Sequence, residues 1–414
     1  MRPVARTALL AAALLLPLAP PAGAKPGPCR GKAAADEWPT FGRDLMNSRH
    51  QERPGTVGAA TAATLAPAWS FTTGGPSAGT ADLNGTPIVA AGCVFLNTAS
   101  GDVLALSAAT GALVWRVHVA LDPGTVAGLG GVFVSSPAVT SDAVVALVNQ
   151  TGSPYAVALS RRDGSLLWRS APLQAGAGYY TNATPVVHDG LVLAGYSPAE
   201  GDPTGVGGLA ILDAGTGALL TRAEVVPAED FARGYAGGGV WTAPAVDVAH
   251  GYAYVGTGNP YSKKIEHENT NAIVKVDLDR SRPTFGTIVA RLKGNIEQYA
   301  PVFRDLVDPA CEAAGDDPAL QLVVGNSAPC LQLDLDFGAP PNLFTDETGR
   351  LLVGDLQKSG VYHVADATTM AGEWSATMGV SCRPGQIALI RIFRRPNSMA
   401  AALVRPITAC LLAA

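Results

Sequence analysis

The chain has 414 residues, a formal net charge of −5 and 15% charged side chains. So mild an acidic balance supplies neither the basic footprint of a nucleic-acid binder nor a basic membrane surface, and no nucleic-acid partner is expected. With 47 glycines and 31 prolines among 48% hydrophobic residues, the composition favours many short strands joined by turns over long helices.

Residues 1–24 read as a secretory signal peptide. Arg2 and Arg6 form the positive region, Ala8 to Pro20 the apolar region, and Ala22-Gly23-Ala24 the cleavage site before Lys25. Pro17, Pro20 and Pro21 interrupt the apolar run, which is too short for a membrane span, and no later segment reaches that length. An exported, secreted or periplasmic protein without a transmembrane segment is expected. Cys29 follows Pro26-Gly27-Pro28 rather than small apolar residues, which argues against a lipid anchor.

From residue 25 to residue 382 the chain is expected to form one all-β domain, because strand-turn-strand units recur with a common ending. The endings are Ala105-Leu106-Ser107-Ala108-Ala109-Thr110-Gly111 with Trp115, Ala158-Leu159-Ser160-Arg161-Arg162-Asp163-Gly164 with Trp168, and Ile211-Leu212-Asp213-Ala214-Gly215-Thr216-Gly217. Gly111, Gly164 and Gly217 are each 53 residues apart. Degenerate copies follow at Val276-Asp277-Leu278-Asp279 and at Val364-Ala365-Asp366 with Gly372 and Trp374. Units open at Thr86-Pro87, Ser136-Pro137, Thr184-Pro185 and Ala243-Pro244, consistent with four strands per repeat. A period of this size with a Gly turn and a following Trp indicates β-propeller blades, which pack radially because none can bury both faces alone. Trp115, Trp168 and Trp374 are then blade-to-blade packing residues. Five blades are recognisable, and the Gly-His and Trp-Asp marks of WD40 repeats are missing.

Between the third and fourth endings lies Gly237-Gly238-Gly239-Val240-Trp241-Thr242-Ala243-Pro244, followed by Tyr252-Ala253-Tyr254-Val255-Gly256-Thr257-Gly258-Asn259-Pro260. Glycines before an indole let backbone pass close to a flat ligand, and the Thr-Gly-Asn-Pro turn presents an amide oxygen at a strand end. This order, with the Trp-bearing blade endings and the opening Trp38-Pro39-Thr40-Phe41-Gly42-Arg43-Asp44, resembles the quinoprotein alcohol dehydrogenases. Those are β-propellers that bind pyrroloquinoline quinone (PQQ) with calcium. The likeness runs from about Trp38 to Cys382 and is closest to exported polyvinyl-alcohol-dehydrogenase-like members.

The resemblance implies a set of site residues. Trp241 takes the place of the indole stacked on the quinone, and Asn259 that of a metal-coordinating amide. Glu200, in Gly195-Tyr196-Ser197-Pro198-Ala199-Glu200-Gly201, takes the place of the calcium-binding carboxylate. Asp336, in Leu333-Asp334-Leu335-Asp336-Phe337-Gly338, takes that of the catalytic base, with Asp334 as the alternative; Leu335 stands where the family has Trp. Lys358, in Gln357-Lys358-Ser359-Gly360, takes that of a cation against the quinone oxygens. Oxygen donors of mixed charge suit Ca²⁺, and an acid beside that ion stays ionised at neutral pH. The implied reaction is PQQ- and calcium-dependent oxidation of an alcohol, polymeric alcohols included. The alternative is a non-catalytic propeller scaffold for protein binding at the cell envelope, which the fold alone does not separate from an enzyme.

No Cys-x-x-Cys-His haem site occurs, so electrons would leave to a separate acceptor such as a cytochrome or quinone. No two of the six cysteines are neighbours, unlike the adjacent pair of many such dehydrogenases. Pairings are not fixed by sequence, but Cys311 and Cys330 flank an acidic insertion and are the expected staple. The tail Arg383 to Ala414 has no blade ending. It reads either as the mark of a truncated or frame-shifted chain, with impaired activity and open blade faces, or as a basic amphipathic tail.

Overall fold

The computed structural model describes residues 29–51, 57–58, 60–74, 82–261, 266–294 and 335–378. Twenty strands in them form five four-stranded antiparallel sheets, each a simple meander in chain order. The first holds β1 (Ile88–Ala90), β2 (Cys93–Asn97), β3 (Asp102–Ser107) and β4 (Leu113–His118). The second holds β5 (Ala138–Val139), β6 (Ala143–Val148), β7 (Tyr155–Ser160) and β8 (Leu166–Arg169). The third holds β9 (Val186–His188), β10 (Leu191–Tyr196), β11 (Gly208–Asp213) and β12 (Leu219–Glu224). In the fourth are β13 (Ala245–Asp247), β14 (Tyr252–Gly256), β15 (Ala272–Asp277) and β16 (Ile288–Lys293), and in the fifth β17 (Asn342–Thr345), β18 (Leu351–Leu356), β19 (Val361–Asp366) and β20 (Gly372–Thr377). One short α-helix, α1 (Ala228–Ala232), and one 3-10 turn, Ala62–Thr64, are the helical elements among the described residues.

The sheets are the blades of a β-propeller. Pro87, Pro137, Pro185, Pro244 and Pro341 each stand immediately before a first strand, where a residue without an N–H ends pairing at no cost. The second and third strands are buried on both faces, β6, β10 and β15 along their whole length. Fourth strands are half open, β8 burying only Trp168. Continuous apolar clusters join neighbouring blades: Phe95 with Val144 and Tyr155, Leu147 with Val192 and Ala210, Leu193 with Val255 and Val274, Tyr254 with Phe337 and Val353.

The repeat ending is an interlock between blades. Trp115 Nε1 donates to Arg161 O at 3.0 Å and Trp168 Nε1 to Ala214 O at 2.9 Å, each reaching the turn of the next blade. Each indole lies flat over that turn's glycine, where a Cβ on Gly164 would come 2.9 Å from the Trp115 ring. The glycine is left-handed, with φ 76° at Gly164, so the turn needs it for both space and conformation. Trp69 does the same to the first blade, donating to Ala108 O at 2.9 Å, a role the sequence reading did not assign.

Where the Trp is lost, the junctions differ: Thr221 takes its place in β12 and the facing turn keeps Gly286 at φ 74°, whose Cβ would strike the Thr221 methyl, whereas the next junction loses the glycine as well. Ala290 takes the Trp position in β16, and the facing turn carries Met370 at φ 60° instead of Gly. The turn carbonyl still finds donors: Lys275 Nζ gives hydrogen bonds to Ala367 O at 2.9 Å and Thr368 O at 2.8 Å, and Tyr254 Oη to Ala367 O at 2.6 Å. Trp374 differs from expectation. It packs on Tyr362 within its own blade, with ring centroids 6.0 Å apart, and is 47% exposed, with no further turn over it among the described residues.

The opening segment crosses the ring. Val89 N donates to Trp38 O at 2.9 Å in the first blade, Val246 N to Leu45 O at 2.7 Å in the fourth, and Leu343 N to Met46 O at 2.9 Å in the fifth. The buried Asn47 amide then donates to both Pro244 O and Pro341 O, at 3.2 and 3.0 Å. A disulfide joins Cys29 to Cys93, 64 residues apart. Cys311, Cys330, Asp334, residues 1–24 read as a signal peptide, and the tail after Cys382 lie outside the described residues.

Candidate functional site

Antiparallel pairing places the start of each first strand beside the end of the second, as Ala245 beside Tyr254 in the fourth blade. Trp241 and Asp336 precede first strands; Glu200, Asn259 and Lys358 follow second strands. All five therefore sit at one end of the propeller, on the third, fourth and fifth blades.

Trp241 faces the axis. It stands three residues before the strand-opening proline, as do Asn84, Val134, Asn182 and Gly338 in the other blades, and all five line one cavity of about 360 Å³. Small hydroxyl residues stitch its wall: Thr86 N donates to Ser136 Oγ at 2.8 Å and Ser135 Oγ to Ala183 O at 2.6 Å. Phe41 of the opening segment adds an apolar side.

Three of the expected residues come together. Lys358 Nζ donates to Asp336 Oδ2 at 3.1 Å and stands 5.2 Å from the centre of the Trp241 ring. Lys358 N donates to Asp336 O at 2.8 Å, locking the two backbones. Asp336 is buried while about a third of the Lys358 side chain (36%) reaches solvent, so the pair sits at the edge of the cavity with the indole as its floor. Gly338 makes this fit possible: a Cβ there would lie 2.8 Å from Trp241 Cη2.

Asn259 is buried, and its strand lies against the Trp241 strand. Gly238 N donates to Asn259 O at 2.8 Å, and Gly258 N to Gly239 O at 2.8 Å. The glycines before Trp241 serve this backbone approach, since a Cβ on Gly237 would strike Asn259 O. A Cβ on Gly258 would lie 3.3 Å from Asp336 Oδ1, so the Asn259 turn adjoins the acid. Asn259 does not adopt a left-handed backbone.

Glu200 stands apart. It is exposed on the turn after β10 and makes no hydrogen bond or ion pair with the described residues. Its link to the others runs through Tyr180, which bridges Ser197 in backbone pairing. Burial pushes the Tyr180 phenol up; Glu200 and Asp336 add to the rise, and Lys358 opposes it. Tyr180 thus lies within the field of all three charges, and sequence reasoning did not select it. Asn182, Thr242 and Gly338 were also missed, although their offset from the strand-opening prolines marks them.

The residues fit a flat anionic aromatic ligand with a hard cation beside it. The indole offers a stacking face, Lys358 a positive charge at its edge and Asn259 an oxygen donor, with Glu200 set apart from them. Among the described residues no three His, Cys, Asp or Glu side chains cluster.

This architecture is that of a quinone-family propeller. The chain belongs to the PQQ family described as glucose/ethanol/alcohol dehydrogenase, beta-propeller domain, whose model matches residues 38–272. It is 28% identical over 375 residues to a polyvinylalcohol dehydrogenase of Pseudomonas sp., covering 84% of this chain and 53% of that protein. A polyvinylalcohol dehydrogenase of Sphingopyxis sp. (strain 113P3) is 26% identical over 381 residues, covering 86% of this chain and 52% of the relative. Among solved structures, quinohemoprotein alcohol dehydrogenase from Comamonas testosteroni superposes with a TM-score of 0.61 at 21% identity, over 83% of this chain and 50% of that one. A europium-containing methanol dehydrogenase gives 0.59 at 16% identity, over 83% and 58%. The chain spans about half the length of the curated relatives it matches. Among the described residues no helix is long and apolar enough to cross a membrane.

Proposed function

We propose that this chain is the site-bearing part of an exported PQQ- and calcium-dependent alcohol dehydrogenase acting on primary or secondary alcohols, polyvinyl alcohol among them. The observation that carries the proposal is the meeting of Trp241, Lys358 and Asp336 at the axis. A scaffold has no need of a buried acid held by a lysine beside a half-open indole. When bound, PQQ supplies the two-electron acceptor, and calcium held by Glu200 and Asn259 supplies Lewis acidity.

The protein's own part is orientation and proton handling. Trp241 sets the plane of the ligand, with Gly338 keeping room for the ring. Lys358 fixes Asp336 in one rotamer with Oδ2 engaged, and its charge favours negative oxygen at the indole edge. Asp336 then serves as the base that takes the alcohol proton, a contribution of about 10²–10⁴ in rate for a positioned base. Electrons pass to a separate acceptor. The Cys29–Cys93 disulfide suits an oxidising compartment and supports export.

Reconstitution of the purified chain with PQQ and Ca²⁺, followed by dye-linked oxidation of a secondary alcohol, tests the proposal. Dye reduction is expected, and its loss in Asn259→Ala. Wild-type protein that binds PQQ yet reduces no dye with any primary or secondary alcohol contradicts it.

A further inference from the structure

Blade register brings a phenol to the site. Asn182, Trp241 and Gly338 stand three residues before strand-opening prolines and line the axial cavity. The residues just before them, Thr181, Val240 and Phe337, turn into their blades, at 2%, 0% and 0% exposure. Successive side chains of extended backbone point to opposite faces, so the next residues outward, Tyr180, Gly239 and Asp336, return to the axial side. Tyr180 and Asp336 therefore hold equivalent positions on the third and fifth blades, one step outward from the indole. The fourth blade puts only a glycine between them.

The Tyr180 segment is fixed on the turn that carries Glu200. Tyr180 and Ser197 exchange backbone hydrogen bonds, each at 3.0 Å, and a Cβ on Gly178 would lie 2.5 Å from the Ala199 Cβ. Ser197 Oγ in turn lies 2.6 Å from where a Cβ on Gly239 would stand. The phenol is partly exposed, so a ligand entering from the site end can reach it. Burial, Glu200 and Asp336 push it up, against the Ser197 hydroxyl and the Lys358 charge, which leaves it a protonated donor at neutral pH.

A phenol that donates and a carboxylate that accepts, flanking an open position, select a group able to do both. Carboxylate and quinone oxygens only accept, and would meet Asp336 lone pair to lone pair. An alcohol oxygen accepts from Tyr180 and donates to Asp336. Held one step outward from Trp241, it leaves the indole face to the quinone.

We propose that Tyr180 is a substrate-binding residue, its phenol donating to the alcohol oxygen while the alcohol O–H points at Asp336. The inference rests on the alcohol-oxidising reading above and adds the residue that orients the substrate oxygen for the base.

The test uses the chain loaded with PQQ and Ca²⁺. The tertiary alcohol 2-methylbutan-2-ol has no hydrogen on its carbinol carbon and yields no hydride, so calorimetry reads its binding without turnover. Wild type and Tyr180→Phe are compared, the variant keeping the ring and losing only the hydroxyl. Saturable binding to wild type is expected, and binding about tenfold weaker to the variant, the worth of one neutral hydrogen bond. With an oxidisable secondary alcohol, KM rises about tenfold in Tyr180→Phe while kcat stays within about threefold. PQQ and Ca²⁺ affinities, read by quenching of indole fluorescence, stay within about twofold; a purely structural role on the Glu200 turn would lower them.

Equal affinity of the two proteins for the tertiary alcohol overturns the proposal, as does absence of alcohol binding to folded wild type. So does a parallel loss of PQQ or Ca²⁺ affinity in Tyr180→Phe, which would assign the phenol to the cofactor or to the Glu200 turn. Alcohol binding that depends on Tyr180, in loaded protein that oxidises no primary or secondary alcohol, contradicts the catalytic reading and leaves Tyr180 as a hydroxyl-binding residue.

Discussion

Lys358 donates to Asp336 at 3.1 Å while its ammonium stands 5.2 Å from the Trp241 ring centre, so one lysine orients the acid and charges the edge of the indole. Removing it acts on both functions. In Lys358→Met, turnover with the reconstituted cofactor is expected to fall by about 10²-fold, since the base loses its fixed rotamer and the nearby positive charge. Steady-state dye-linked kinetics measure this. Asp336→Asn should lower the rate at least as far while leaving PQQ binding within about twofold of wild type.

Gly338 tests the geometry without touching a charge. A methyl group at that position lies 2.8 Å from Trp241 Cη2, so Gly338→Ala must displace the indole or its own strand. PQQ affinity should drop by about fivefold to tenfold, roughly the worth of an aromatic contact. Circular dichroism is expected to match wild type, because the change is confined to the cavity wall.

The fourth and fifth blades are joined by Lys275 in place of an indole. Lys275 is buried, with its ammonium on two turn carbonyls and 4.0 Å from the Tyr252 ring centre. Lys275→Met should destabilise by about 3 kcal/mol, the loss of charge-assisted hydrogen bonds from a buried donor. Chemical denaturation provides the measurement. The coupling of Ala290 and Met370 predicts that Ala290→Trp alone is destabilising and that Met370→Gly in the same chain restores part of the loss, since only glycine leaves room for the ring.

Burial pushes the Asp355 carboxyl well above its usual range, with a backbone hydrogen bond from Leu356 and the charge of Arg49 opposing. A carboxyl raised in the folded state favours folding most when protonated, so its contribution is greatest at acid pH and is lost as pH rises through the range between its unfolded and folded values. Asp355→Asn should therefore raise the melting temperature at pH 7.5, with a difference that shrinks towards pH 4. An unchanged difference across that range would show that ionisation is not the cause.

The Cys29–Cys93 bridge closes a loop of 64 residues, worth about 4 kcal/mol in the chain-entropy account. Reduction, or Cys29→Ser with Cys93→Ser, should lower the melting temperature by several degrees without changing PQQ affinity.

Blade boundaries were legible because a glycine turn, a Trp and a strand-opening proline repeat locally, and the structure adds Pro341 and Trp69 to that series. Trp241, Asn259, Asp336 and Lys358 were selected by likeness to the family; the structure brings Trp241, Lys358 and Asp336 together and sets the Asn259 turn beside the acid. Other features were hidden for physical reasons. The role of Asn47, which bridges the fourth and fifth blades, depends on a chain crossing of nearly 200 residues or more. Lys275 replaces an indole by reaching from a different strand, so no alignment of blade endings shows it. The Cys29–Cys93 bond links cysteines with no distinguishing spacing.

The central claim is that Trp241 is the floor of a PQQ site. It is tested most directly by titrating PQQ with Ca²⁺ into wild type and Trp241→Phe while following indole fluorescence. The account predicts saturable quenching in wild type at one PQQ per chain, dependent on added Ca²⁺, with the Trp241 share of the quenching lost and affinity lowered in the variant. Quenching and affinity identical in the two proteins, or no saturable binding to folded wild type, would contradict it.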